Sequence, residues 1–176
     1  GPEPISTGCW RGVGLATVLR KAGIQPGARF VEFVGLDNVE RHGHRFGFGG
    51  SIDIEKALTP DVLLAFELNG APLPPDHGFP VRAVVPGWIG ARSVKWLGRI
   101  NVMAEPSQNY FQTKAYRVQY EVNHRDPRDV SAGAALSEVP LNAVILEPAR
   151  DQTVPAGRVR VRGWAMGSGG RAIASV

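Results

Sequence analysis

Between Asp76 and Arg99 the chain reads DHGFPVRAVVPGWIGARSVKWLGR, and residue types capable of chemistry are densest there. His77, Arg82, Arg92, Ser93, Lys95 and Arg99 are all donors, set among β-prone residues and Gly/Pro turns. Arginine and lysine at this density, beside glycines that leave backbone N–H groups accessible, suit an anion. Guanidinium forks and free amides both favour phosphate-like oxygens. On physical grounds alone the same residues serve equally well as a solvated basic face.

The elements that must position these residues follow from periodicity. Leu15, Val18, Leu19 and Ala22 recur at helical spacing, with Arg20 and Lys21 in the last turn and Gly23 as a stop. Arg29–Leu36 reads as a strand, and 38–50 (NVERHGHRFGFGG) as a polar, glycine-rich loop. Ile52–Leu58 suits a short helix with Ser51 as a candidate cap. Val62–Leu68 is a strongly apolar strand closed by the Asn69-Gly70 turn signal. Val81–Val85 and Val94–Met103 add two strands around Pro86-Gly87. The first eight residues read as a loop, and 105–139 as a surface plus linker.

A composition shift near Pro140 marks a domain boundary. Leu141–Leu146 reads as a strand. In RVRVR, Arg158, Arg160 and Arg162 alternate with Val159 and Val161, as a strand with one wet face requires. Arg171–Val176 begins a third strand.

With 176 residues, 43% hydrophobic content, 22 glycines and 14 prolines, the chain favours short strands and turns over a helical bundle. A formal charge of +4 permits an anionic ligand but does not imply nucleic acid. One cysteine excludes an internal disulfide and a multi-cysteine metal site within the chain. No apolar run approaches the roughly 20 residues of a membrane span, and no signal peptide is read.

DHGFPVR, VVPG and GARSVKWLGRI together resemble the signature of the sulfite oxidase family of molybdenum enzymes, which includes assimilatory nitrate reductases. STGCWRGVGLATVLRKAGI is similar to that family's W-x-G-V segment before a helix, and DVLLAFELNGAPLP to its strand and turn before DHGFP. LNAVILEP with GWAMGSGGRAI resembles the opening of its C-terminal immunoglobulin-like dimerisation domain. The resemblance implies an α+β, β-dominated molybdopterin domain, partial, over 1–125. A linker would follow over 126–139, then the first strands of an immunoglobulin-like sandwich over 140–176. Three strands do not close such a sandwich, which takes about seven.

By the same resemblance Asp37, His77, Arg82, Ser93, Val94 and Lys95 match positions that hold molybdopterin. Arg82 and Lys95 would neutralise its phosphate, His77 and Ser93 donate hydrogen bonds, and Asp37 accept from pterin amines. Arg171 matches an arginine of the family's oxyanion pocket. Phe66 stands where the family usually has tyrosine near the metal, so a hydroxyl able to orient substrate or relay a proton is missing. Met166, where an aromatic is common, is a milder departure.

No metal ligand is assigned within the chain. Cys9 directly precedes Trp10, outside the family's metal-ligating C-x-G-N-R-R-like motif, and reads as an ordinary buried thiol. His42 and His44 form an H-x-H pair without an obvious third ligand, and read as a solvated loop. The four tryptophans read as core or interface anchors.

The implied function is molybdenum-cofactor-dependent oxidation of sulfite to sulfate by a homodimer, with electrons passing to a haem or cytochrome acceptor. Two alternatives stay open. One is a nitrate-reductase-like or other oxyanion oxidoreductase, and the other a non-catalytic anion-binding or dimerisation fragment. The sequence assigns no compartment.

Overall fold

The computed structural model describes residues 8–118, 133–167 and 171–175. The first-described strand β1 (Trp10–Gly14) runs directly into helix α1 (Leu15–Ala22). Gly14 offers no side-chain cap, so the first helical N–H goes instead to a distant stretch of main chain: Leu15 N donates to the Val62 carbonyl at 2.9 Å. Gly23 ends the helix with a φ of 84°, its N–H on the Leu19 carbonyl at 3.1 Å. The periodic residues of this segment turn Leu15, Ala16 and Leu19 inward.

Strand β2 (Phe30–Gly35) follows, with Val31, Phe33 and Gly35 facing inward in strict alternation. The stretch expected as an open loop is ordered further than its composition suggests. It forms a hairpin of β3 (Val39–Arg41) and β4 (His44–Phe46), then β5 (Gly49–Asp53). His42 and Gly43, with φ of 50° and 78°, make the tight turn that closes the hairpin. Ser51 lies within β5 and caps nothing. The helix α2 (Ile54–Ala57) starts later than expected, after Asp53. Pairing decides this: β5 takes Ser51 as the register partner of Glu32 on β2.

Strand β6 (Leu63–Leu68) turns through Asn69 and Gly70, both at positive φ, into β7 (Ala71–Pro72). A 3₁₀ turn over Pro75–His77, strand β8 (Arg82–Val84), a second 3₁₀ turn over Gly90–Arg92 and strand β9 (Leu97–Met103) follow. Two antiparallel sheets result. In one, β6 pairs with β1 along one edge and with β7 and β8 along the other. In the other, β2 lies between β5 and β9. One apolar cluster joins them, taking Leu15 and Leu19 from α1, Val31, Phe33 and Ile52 from the β2 sheet, and Ala83, Val85 and Val94 from the β8 region.

Helix α3 (Tyr110–Thr113) and the short pair β10 (Arg117–Val118) with β11 (Ala134–Ala135) pack beside this body. Of the expected linker, 126–132 lie outside the described residues. Residues further on are tied to the turn before Arg92, since Ile89 N donates to the Ser137 carbonyl and Val139 N to that of Gly87, both at 2.9 Å. Beyond Pro140, β12 (Asn142–Glu147) and β13 (Arg162–Met166) form a two-stranded ribbon. The expected RVRVR strand is corrected to begin only at Arg162, and residues 171–175 form no strand. Val159 and Val161 are exposed, with no described strand beside them to pair or cover them. Among the described residues this part is therefore a ribbon and not a sandwich.

Candidate functional site

Three successive carbonyls of the Pro75–His77 turn organise the basic stretch. Trp96 Nε1 donates to Pro75 O at 2.7 Å, Lys95 Nζ to Asp76 O at 2.8 Å, and Arg82 Nη1 to His77 O at 3.1 Å. Pro75 O also accepts the turn's own Gly78 N–H at 3.1 Å, while the Asp76 and His77 carbonyls at the end of so short a turn are met by the side-chain donors. The turn closes at Gly78, where φ is 104°. A Cβ there would stand 3.0 Å from Lys95 Cβ and 3.1 Å from Arg82 Cβ, so the glycine lets the stems of both cations close around it.

Arg82 is held from a second side, with Nη2 on the Ser93 carbonyl at 2.9 Å and its guanidinium 4.9 Å from the Trp10 ring. Burial pushes its pKa down, and no acid opposes that shift. Lys95 lies 4.2 Å from the ring of Trp96. Neither cation has a carboxylate partner among the described residues. Ser93 Oγ accepts from Val85 N at 3.0 Å, and Val94 is buried with its carbonyl on Ala83 N at 2.8 Å. These two residues fasten the second 3₁₀ turn to β8.

Arg82, Ser93, Val94 and Lys95 line one cleft of about 270 Å³, together with Gly90, Ala91, Phe48 and Tyr116. The structure thus brings together four of the six expected cofactor residues. His77 adds its carbonyl to the Arg82 clamp while its side chain is exposed. Asp37 lines a different hollow, with Arg45 and Arg99, and its Oδ1 accepts from Phe48 N at 2.9 Å. Its contribution to the cleft is thus to fix the backbone of an aromatic wall residue. Phe66 is 39% exposed on β6 and lines neither hollow, and Arg171, beyond β13, is likewise absent from their linings. Arg92, a donor of the same basic stretch, is buried elsewhere.

Phe48 and Tyr116 were not legible as site residues. Their rings lie 6.2 Å apart edge to face, with Phe111 4.2 Å from Phe48, and only the F-G-F-G-G run hints at a backbone brought close to something. Cys9 corrects an expectation: the thiol is exposed. The backbone explains it, since Cys9 N is bound by Asn69 Oδ1 at 2.9 Å and Cys9 O by Asn69 N at 2.8 Å, which leaves the side chain outside the core. No group of three His, Cys, Asp or Glu among the described residues could hold a metal ion. Among them, too, no helix is long and apolar enough to cross a membrane.

Two unpaired cations against an aromatic wall suit a flat ring system that carries an anionic group. That is the chemistry of a pterin bearing a phosphate, and the residues present fit it. The chain belongs to the family described as "Oxidoreductase molybdopterin binding domain", whose model matches residues 1–111. Molybdopterin is therefore the cofactor of its class.

Among proteins it is similar to, mitochondrial sulfite oxidase of Macaca fascicularis is 43% identical over 176 residues, 98% of this chain and 32% of that protein. Sulfite oxidase of Arabidopsis thaliana is 42% identical over 98% of the chain and 46% of its own length. Inducible nitrate reductase [NADH] 2 of Glycine max is 40% identical over the whole chain and 22% of its own length. The chain thus spans about a third of the length of the mitochondrial sulfite oxidase it matches. The crystal structure of the sulfane dehydrogenase SoxCD from Paracoccus pantotrophus superposes with a TM-score of 0.59 and 30% identity, over 78% of this chain and 31% of that one.

Proposed function

We propose that this chain is part of a sulfite-oxidase-type enzyme that converts sulfite to sulfate and passes two electrons to a haem or cytochrome acceptor. The observation that carries the reading is the cleft in which Arg82 and Lys95 stand without carboxylate partners, in a chain about 40% identical to sulfite oxidases along almost its full length. Molybdopterin, when bound, supplies the redox centre and the site of oxygen transfer. The chain's own residues supply placement. Arg82 and Lys95 neutralise the phosphate, His77 and Ser93 set the Arg82 fork through their carbonyls, Val94 anchors the segment, and Asp37 orients the wall through Phe48. Phe66 and Arg171 are read as the substrate-side pair, the guanidinium drawing in the oxyanion.

The domain reading goes with this proposal: residues 1–125 contribute to the molybdopterin domain, 126–139 connect, and 140–176 begin a dimerisation domain. Supporting it, Ile145 on β12 and Leu141 just before it are exposed, as a surface awaiting cover would be. Sulfite-dependent reduction of cytochrome c by the complete protein tests the function, and no reduction by molybdenum-loaded protein contradicts it.

A second reading, nitrate reduction, is favoured by one observation. Phe66 lacks the hydroxyl expected for sulfite chemistry, while a nitrate reductase is matched over the entire chain. Nitrate-dependent turnover without sulfite oxidation would select it.

A further inference from the structure

Tyr116, which walls the Arg82–Lys95 cleft, holds a φ of 49°. That left-handed region is costly for a tyrosine and persists only where neighbours fix it. Its carbonyl is fixed by Leu136 N, which donates to it at 2.8 Å. Leu136 is fixed in turn at its other end, where its carbonyl accepts from Arg92 Nη2 at 2.9 Å. One relay of hydrogen bonds thus runs from Arg92 through Leu136 to the Tyr116 wall.

Arg92 is the largest fully buried side chain among the described residues, with 1% of its surface exposed. Gly50 makes room for it, since a Cβ there would lie 2.8 Å from Nη1. A buried charge often adds no more stability than an apolar side chain of the same volume, so packing does not account for the guanidinium. Reach does, because a long stem ending in N–H donors spans from the Gly90–Arg92 turn to the Leu136 carbonyl. Burial pushes the Arg92 pKa down, and the Tyr116 oxygen opposes that shift, so ring and guanidinium lie within electrostatic reach of each other. The same turn and its cap give Gly90, Ala91 and Ser93 to the cleft. One short turn therefore sets one side of the cleft directly and another through Tyr116.

We propose that Arg92 is a positioning residue for the cofactor cleft, holding the Tyr116 ring against it through Leu136. The inference rests on the reading of that cleft as the molybdopterin seat, and adds to it a residue that acts from the interior without lining the cleft. Linkage makes the effect reciprocal: a contact that favours the bound cofactor is itself favoured by it.

The test is the rate of pterin release from the complete, loaded protein, measured as a double-mutant cycle between Arg92→Met and Tyr116→Ala. Methionine keeps an unbranched stem and removes the donor. Arg92→Met is expected to release pterin about tenfold faster. In the Tyr116→Ala background the same substitution changes release by no more than about twofold, because Arg92 acts only through that ring. An unchanged rate in Arg92→Met, or the same acceleration with and without the Tyr116 ring, overturns the role of Arg92 and leaves the cleft assignment standing. Unaltered protein that holds no pterin contradicts the cleft assignment itself, and the inference falls with it. Should Arg92→Met not fold, hydrogen exchange at the Leu136 amide of the unaltered protein decides. Slower exchange in the pterin-loaded than in the pterin-free protein supports the relay, and equal rates overturn it.

Discussion

Arg82 Nη1 donates to the carbonyl of His77 at 3.1 Å, so the two most distinctive residues of DHGFPVR meet backbone to side chain rather than side by side. The arginine is thereby fixed before any ligand arrives. With Nη2 on Ser93 O at 2.9 Å, the fork spans the two halves of the basic stretch, and its charge is presented to the cleft by the scaffold.

Gly78→Ala tests how far the cation clamp depends on that turn. The substitution forces a Cβ onto a φ of 104° and into contact with the stems of Arg82 and Lys95. Strain of this kind costs about 1–3 kcal/mol. Chemical denaturation is expected to show that loss together with weaker cofactor retention, while unchanged stability would mean the turn relaxes freely.

Phe33 is fully buried where the β2 sheet meets the common core. Phe33→Ala is expected to cost about 3–5 kcal/mol, read from the unfolding midpoint. A loss below about 1 kcal/mol would contradict a shared core.

Asp61 gives the pH dependence a sign. Burial alone would raise its carboxyl, but hydrogen bonds from Lys56 and Thr59 and the Lys56 charge outweigh that and hold it below the usual value of 3.8. A depressed folded-state pKa means stability that is fully present above the unfolded value and is lost as pH falls through the folded one. The pair is partly exposed, so its worth is under about 1 kcal/mol. Asp61→Asn should therefore lie slightly below the unaltered protein at neutral pH, with the gap closing below about pH 4. A gap that is constant from pH 7 to pH 3 would rule out this pair as its source.

Phe66→Tyr restores a hydroxyl on β6. Under the sulfite reading it raises kcat for sulfite oxidation in the complete protein, by about tenfold or more if the hydroxyl takes part in proton transfer. An unchanged or lower rate would place Phe66 away from the reacting oxyanion.

Much of this was legible locally. The Leu15, Leu19 and Gly23 spacing located α1, and the apolar run ending in Asn69-Gly70 located β6 and its turn, because each signal is complete within a few residues. The β3–β4 hairpin was not legible because each strand is three residues long with one apolar residue, Val39 or Phe46, too few for an alternation to show. The site was legible by type but not by direction. Arg82 and Arg92 look alike in sequence, yet one lines the cleft and the other enters the interior through space left at Gly50. The aromatic wall could not be read at all, since Phe48 and Tyr116 meet only through the tertiary fold.

The central claim is that the Arg82–Lys95 cleft seats the molybdopterin phosphate. It is tested most directly by pterin and molybdenum content per chain in the complete protein, unaltered and as Lys95→Ala and Arg82→Ala. Near-stoichiometric content in the unaltered protein, falling in both variants while their folding is retained, is the predicted result. Undiminished content in both folded variants would contradict the assignment.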